Sequence, residues 1–176
     1  MVTSMKNKKG EVVPKLIALD WGTSSFRGYL LNQNGEILEK ISADAGILSV
    51  KNRQFLQTLH QQLDKFKLFS SKLPIIAAGM ITSKQGWVET PYVECPVSTQ
   101  DLANALSSFE TEEFGKILFL PGVKQLHPEP DIMRGEEAQL AGIDSSGTRL
   151  LRRIACRTSH FRSEREGKRE HRMVGL

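Results

Sequence analysis

The stretch Val12–Ala43, VVPKLIALDWGTSSFRGYLLNQNGEILEKISA, decides the fold. Val12–Asp20 is a short apolar run that ends on an acid, the pattern of a buried strand. Ser25–Asn32 (SFRGYLLN) is a second strand, and the small residues Gly22-Thr23-Ser24 between the two make a tight hairpin turn. Asn34-Gly35 is a strong hairpin-turn signal, and Glu36–Ala43 (EILEKISA) alternates as a third strand. Three sequential antiparallel strands are therefore expected to open the fold.

Downstream the period changes. Asn52–Lys67 carries Phe55, Leu56, Leu59, Leu63 and Phe66 at helical spacing, with Asn52 placed as N-cap. Leu73–Met80 (LPIIAAGM) reads as a fully buried strand that ends in glycine. Ser98–Phe109 reads as a second helix, with Leu102, Ala105, Leu106 and Phe109 on one face and Ser98 or Thr99 as its cap. Lys116–Leu120 (KILFL) is a fifth strand stopped by Pro121-Gly122, and Met133–Ile143 (MRGEEAQLAGI) is a turn entering a helix. There is no internal repeat. The order βββαβαβα predicts an α/β protein, a mixed five-stranded sheet with flanking helices.

Composition bounds the function. The chain has 176 residues, 39% hydrophobic and 25% charged, with a net charge of +4, which suits one soluble domain with a sizeable core. No apolar run approaches the ~18–20 residues needed to span a membrane, so no membrane partner is expected. Met1–Lys15 is polar and lysine-rich without an apolar core, unlike a secretory signal, and the expected compartment is the cytoplasm. Two cysteines, Cys95 and Cys156, exclude a disulfide framework and a cysteine-built zinc site.

The overall charge conceals a break. Residues 149–176 hold eight arginines and one lysine against three glutamates, a net of +6. Residues 1–148 hold three arginines and twelve lysines against seventeen acids, a net of −2. Phe161–Arg172 (FRSEREGKREHR) has no apolar periodicity and too little apolar surface to offset its ordering entropy. Three readings stand for this stretch: a solvated disordered tail, a basic arm for nucleic acid, or a foreign reading frame entered by a frameshift. The last accounts for the abrupt switch from lysine to arginine. The expected organisation is a flexible 1–14, a folded lobe over 15–148 and a basic tail over 149–176.

The chemistry concentrates at Asp20-Trp21-Gly22-Thr23-Ser24. An acid ends a buried strand and a small-residue turn follows. Glycine lets backbone approach an anion, Thr23 and Ser24 add hydroxyl donors, and successive turn N–H groups form an anion-binding nest. A carboxylate beside a phosphate cradle is useful when a cation lies between them. Mg²⁺ keeps several waters and takes one or two carboxylates plus substrate phosphates. Asp20 is thus a candidate for holding Mg²⁺-bound water near the phosphates of ATP, with Gly22, Thr23 and Ser24 as the cradle.

This arrangement resembles the ribonuclease H-like fold of actin-like ATPases and sugar kinases. The likeness narrows when further pieces are read in order. Ile17–Ser24 (IALDWGTS), Arg27, Ala78-Gly79-Met80, Gly86-Trp87, Pro91-Tyr92, Leu120-Pro121-Gly122 and Met133–Gly142 (MRGEEAQLAG) resemble the 2-dehydro-3-deoxygalactonokinase family, from about Lys15 to Ile143. The resemblance implies transfer of the γ-phosphoryl group of ATP to the terminal hydroxyl of a keto-deoxy sugar acid in galactonate breakdown. It implies ATP and Mg²⁺ as cofactors and a small-molecule sugar acid as partner.

Phosphoryl transfer asks for positioning and charge neutralisation. Arg27 and Arg134 are two of the three arginines before residue 149, and either fork suits the carboxylate of the sugar acid or a phosphate. Glu136 and Glu137 begin the last helix, where acids favour the dipole; one of them is a candidate general base or Mg²⁺-ordering group. The segment Gly79–Tyr92 follows a strand end, where α/β sheets place ligand contacts. Gly79 shapes it, and Ser83, Lys84, Gln85 and Trp87 are candidates for a sugar pocket. His60 is expected to be solvated, His127 incidental to its loop, and Cys95 without chemistry.

Full-length members of the family continue into a second lobe, with a segment resembling Leu-Pro-Gly-Thr-His-Ser-Lys-Trp soon after residue 143. Cys156-Arg-Thr-Ser-His160 stands near that place without the pattern. The expectation is a lobe that lacks the second phosphate loop and the adenosine pocket, and so lacks kinase activity alone. The alternatives are a kinase for another sugar acid and a non-enzymatic lobe whose basic tail grips nucleic acid. A nuclease of the same core is disfavoured because the fourth strand ends Ala78-Gly79-Met80 without an acid.

Overall fold

A computed structural model describes residues 13–141 apart from 68, 71 and 128. The start of the expected first strand at Val12, the end of the last helix at Ile143, the boundary at 148, Cys156 and the basic stretch 149–176 lie outside the described residues.

The opening meander forms as read. Strand β1 (Leu16–Trp21) alternates, burying Ile17, Leu19 and Trp21 on one face. It pairs antiparallel with β2 (Phe26–Leu31), setting Asp20 opposite Arg27 and Trp21 opposite Phe26. β2 pairs antiparallel with β3 (Ile37–Ala43). At the second turn the Asn32 Oδ1 accepts the amides of Asn34 at 2.9 Å and Glu36 at 3.0 Å. Helix α1 (Phe55–Leu63) then leads to β4 (Ile75–Ala78), which lies parallel to β1. Parallel strands need such a crossover. Phe55, Leu59 and Leu63 of α1 join the core with Ile17, Trp21, Phe26, Leu30 and Ile75 of the sheet.

Beyond β4 the chain makes β5 (Tyr92–Glu94), α2 (Thr99–Asn104), β6 (Ser107–Thr111), β7 (Gly115–Phe119), β8 (Gly122–Gln125), β9 (Asp131–Met133) and α3 (Glu136–Ala141). β7 lies parallel to β4, and β6 closes that edge antiparallel to β7. The main sheet therefore has six strands, ordered β3-β2-β1-β4-β7-β6, one more than expected. A second, three-stranded sheet, β5-β8-β9, has its own small core of Val97, Leu102, Val123 and Met133.

The extra strand comes from the second predicted helix. Ser98 does cap α2: its Oγ accepts the Asp101 amide at 3.2 Å, and the Asp101 carboxylate accepts the Ser98 amide at 2.8 Å, a capping box. The helix nevertheless stops at Asn104. Ser107–Thr111 pairs with β7 around a turn closed by the Phe114 amide donating to Thr111 Oγ1 at 2.9 Å. The Phe109 ring meets Trp87 at 5.4 Å, so cross-strand packing overrides a helical period. Similarly, Asn52 does not cap α1. It sits in a 3₁₀ turn, Lys51–Arg53, with φ 49°, and Arg53 follows at φ 56°. Asparagine tolerates that region, whereas arginine is held there. The Arg53 guanidinium donates to Gly86 O at 2.8 Å and lies 5.5 Å from the Phe55 ring centroid.

Two ties fix the β1–β2 turn. Trp21 Nε1 donates to Ala45 O at 2.8 Å. The amides of Gly46, Ile47 and Leu48 donate to the carbonyls of Ser24, Gly22 and Thr23 at 3.2, 3.0 and 3.2 Å. Only glycine fits position 46, because a Cβ there would stand 2.3 Å from Thr23 O and from Ser24 C. Gly46→Ala is expected to lower stability by about 1–3 kcal/mol, measured as a shifted urea midpoint, since the obstacle is backbone on both sides. An unchanged midpoint would show that the turn and the 46–48 segment are not rigidly packed.

Candidate active site

The pleat of β1 sends Trp21 into the core and Asp20 to the opposite face. Trp21 is locked by edge contacts with Phe26 and Phe55, with ring centroids 4.9 and 6.0 Å away. Asp20 stands at the carboxyl end of β1, paired with Ala78 at the carboxyl end of parallel β4. Open α/β sheets gather ligands at such strand ends. Asp20 lines an open groove of about 470 Å³ with Ala18, Arg27, Tyr29, Lys40, Ala78 and Gly135. That volume falls in the usual range for small-molecule sites. Arg27 Nη1 donates to Asp20 Oδ2 at 2.8 Å, both side chains partly solvated at 44% and 23% exposure. Lys40 Nζ lies 5.4 Å from the Tyr29 ring centroid. The groove thus holds one carboxylate beside two cations, a balance that favours an anionic ligand.

The turn next to Asp20 is oriented by its carbonyls. All three, Gly22 to Ser24, accept amides from 46–48, and the Gly22 amide donates to Ser25 O at 2.9 Å. Thr23 and Ser24 are exposed residues, and their amides meet no acceptor among the described residues. Two successive N–H groups without an acceptor are the kind of donors that can take an anion.

The end of β4 is crossed at close range by the start of α3. Gly79 has φ 96° and ψ −160°, a conformation essentially restricted to glycine. A Cβ there would stand 2.8 Å from Trp21 O and 3.4 Å from Asp20 Oδ1. A Cβ on Gly135 would stand 3.0 Å from Gly79 Cα. Glu137, wholly buried, accepts the Gly135 amide on Oε1 at 2.8 Å and on Oε2 at 2.7 Å. Burial pushes the Glu137 carboxyl above the usual glutamate range. The Gly135 amide opposes the shift, Glu136 adds to it, and Arg134 weakly opposes it. Exposed Glu136 accepts the Arg134 amide on Oε2 at 3.1 Å. Both carboxylates thus brace the start of α3, and neither lines the groove.

Arg134 is held within the protein. Its Nη1 donates to the Thr82 carbonyl, to Thr82 Oγ1 at 2.7 Å and to Thr90 Oγ1 at 2.8 Å. Nη2 donates to Thr90 O at 3.1 Å and Nε to Tyr92 Oη at 3.2 Å. The guanidinium carbon also lies 4.2 Å from the Tyr92 ring centroid.

The candidates therefore divide. Asp20 and Arg27 line the groove, with Gly79 behind Asp20; Gly22, Thr23 and Ser24 follow Asp20 in the turn but do not line the groove. Ser83 donates its hydroxyl to Met80 O at 2.7 Å, and Lys84 is exposed. Trp87 packs among Phe55, Phe109 and Phe119, its ring centroid 6.1, 5.4 and 5.8 Å from theirs, on the core side. None of the three lines the groove. His60 bridges Asp64 at 2.9 Å and Glu113 at 2.8 Å on the outer side of α1. His127 is exposed, and burial raises the Cys95 thiol. Sequence reasoning missed Lys40, Gly46 and the Thr82–Thr90–Tyr92 clamp. Of these, only the Thr82-to-Tyr92 span lay inside the loop it marked.

A dedicated metal cage is not what this site offers: among the described residues no group of three or more His, Cys, Asp or Glu side chains is placed to hold a metal ion. Asp20, one partly exposed carboxylate on the groove, could take Mg²⁺ that arrives with waters and phosphates once Arg27 is displaced from it.

The family model for 2-keto-3-deoxy-galactonokinase matches residues 20–160. The chain is 35% identical over 126 residues to "Probable 2-dehydro-3-deoxygalactonokinase DgoK1" of Rhizobium meliloti (strain 1021), covering 71% of this chain and 40% of that protein. It is 30% identical over 129 residues to the 2-dehydro-3-deoxygalactonokinase of Escherichia coli (strain K12), covering 73% and 42%. A crystal structure from Sinorhizobium meliloti under the same kinase name superposes with a TM-score of 0.63 at 34% identity, covering 71% and 40%. The chain thus spans about 40% of the length of these relatives.

Glu137 ties stability to pH. Its folded-state value lies above its unfolded one, so the native state binds more protons in the interval between them, and stability falls as pH rises through it. Glu137→Gln keeps an oxygen for the Gly135 amide and is expected to flatten this slope in denaturation curves taken across mildly acidic pH. A slope unchanged by the substitution would mean that Glu137 is not its source.

Proposed function

Because the chain belongs to the 2-keto-3-deoxy-galactonokinase family, we propose that it forms one wall of a sugar-acid kinase site. The reaction is transfer of the γ-phosphoryl group of ATP to the terminal hydroxyl of 2-dehydro-3-deoxygalactonate. The observation that carries this reading is the setting of Asp20: a partly solvated carboxylate at the end of a central strand, on a groove, beside a turn with two free amides. Bound MgATP supplies the phosphoryl group and part of the charge neutralisation. Asp20 would hold the ion through its water shell, and the Thr23 and Ser24 amides and hydroxyls would take phosphate oxygens. Arg27, released from Asp20 when a cation takes its place, is the fork for the carboxylate of the sugar acid. Another sugar acid is the alternative substrate, since the same carboxylate and cations would suit any anionic sugar acid.

Calorimetric titration tests the reading. The 176-residue chain is expected to bind MgATP, and Asp20→Asn to weaken it at least tenfold, about 1.4 kcal/mol. Arg27→Met is expected to weaken 2-dehydro-3-deoxygalactonate more than MgATP. No binding of either ligand by the wild-type chain would overturn the proposal.

A further inference from the structure

We infer that Arg134 is a positioning residue for the Asp20 site, acting through Gly79 and not by touching substrate. Two routes converge on Gly79. In the first, the Arg134 guanidinium donates to Thr82 Oγ1 at 2.7 Å, and that hydroxyl donates to Gly79 O at 3.0 Å. The Thr82 amide donates to the same carbonyl at 3.0 Å. In the second, the backbone next to Arg134 carries Gly135, which Glu137 holds by its amide against Gly79. Gly79 in turn abuts Trp21 O and faces Asp20 Oδ1.

The donor count supports a bracing role. Nε, Nη1 and Nη2 all have acceptors within the protein, and the Tyr92 ring covers the planar face. The fork is therefore used on Thr82, Thr90 and Tyr92, which come from the loop after β4 and from β5. Arg134 pins that loop and the small sheet to the start of α3. A loosened pin lets Gly79 rotate out of its unusual conformation and frees the Asp20 carboxylate to follow Arg27.

The inference rests on the nucleotide reading of Asp20 for one of its two readouts. In the full 176-residue chain, Arg134→Met is expected to weaken MgATP at least fivefold. The same substitution in an Asp20→Asn background is expected to add less than twofold, because both act on one carboxylate. Arg134→Lys is expected to recover part of the affinity, and Tyr92→Phe, which keeps the ring, most of it. An arginine that touched phosphate directly would instead give additive losses, which would overturn the inference. The second readout needs no ligand. Amide hydrogen exchange in Arg134→Met is expected to rise at Gly79, Thr82 and Gly135, while β2–β3 amides stay protected. Exchange raised uniformly across the sheet, or unchanged at Gly79, would overturn the inference. A wild-type chain that binds no MgATP but shows the local exchange pattern would remove the nucleotide reading and keep the positioning role.

Discussion

Neighbouring side chains on an extended strand must point to opposite faces, and Asp20-Trp21 turns that constraint into a site. Trp21 is anchored inward by Phe26, Phe55 and its bond to Ala45 O. With the tryptophan fixed, the aspartate has one place to go, the face that lies open at the end of β1. The turn that follows inherits its orientation from the same anchor, because the 45–48 segment caught by Trp21 also donates its amides to the carbonyls of Gly22 to Ser24. Core packing and ligand geometry are therefore two faces of a single dipeptide.

Much of this was legible. The meander, the Asn34-Gly35 turn, the buried strand ending in Gly79 and the family resemblance could all be read because local pattern and final structure agree there. The Ser98 cap was right and the helix it starts was too long, because Phe109 takes its partner from Trp87 and β7 and not from its own helix. The small sheet escaped because strands of three or four residues carry no readable period. Pro121-Gly122, read as a stop, is the corner between β7 and β8.

The site shows a different limit. Residue type told which groups suit phosphate chemistry; it did not tell which are already engaged. Arg27 and Arg134 look equivalent in sequence, yet one has a single carboxylate partner at the groove and the other is bound on all three nitrogens. Glu136 and Glu137 are adjacent, yet one is exposed and one wholly buried. Such distinctions depend on Thr82, Thr90 and Gly135, which carry no chemical signature of their own.

The pairing of Asp20 with Ala78 joins segments remote in sequence, whereas β1, β2 and β3 are linked by short turns. Local hairpins close quickly; parallel partners must first bear the entropy of a long loop. The groove therefore draws its Arg27 and Lys40 bank from strands joined by short turns and its Ala78 bank from a strand reached only through a long crossover. Half of the pocket is thus a local product of the sequence, and the other half exists only through a contact between distant segments.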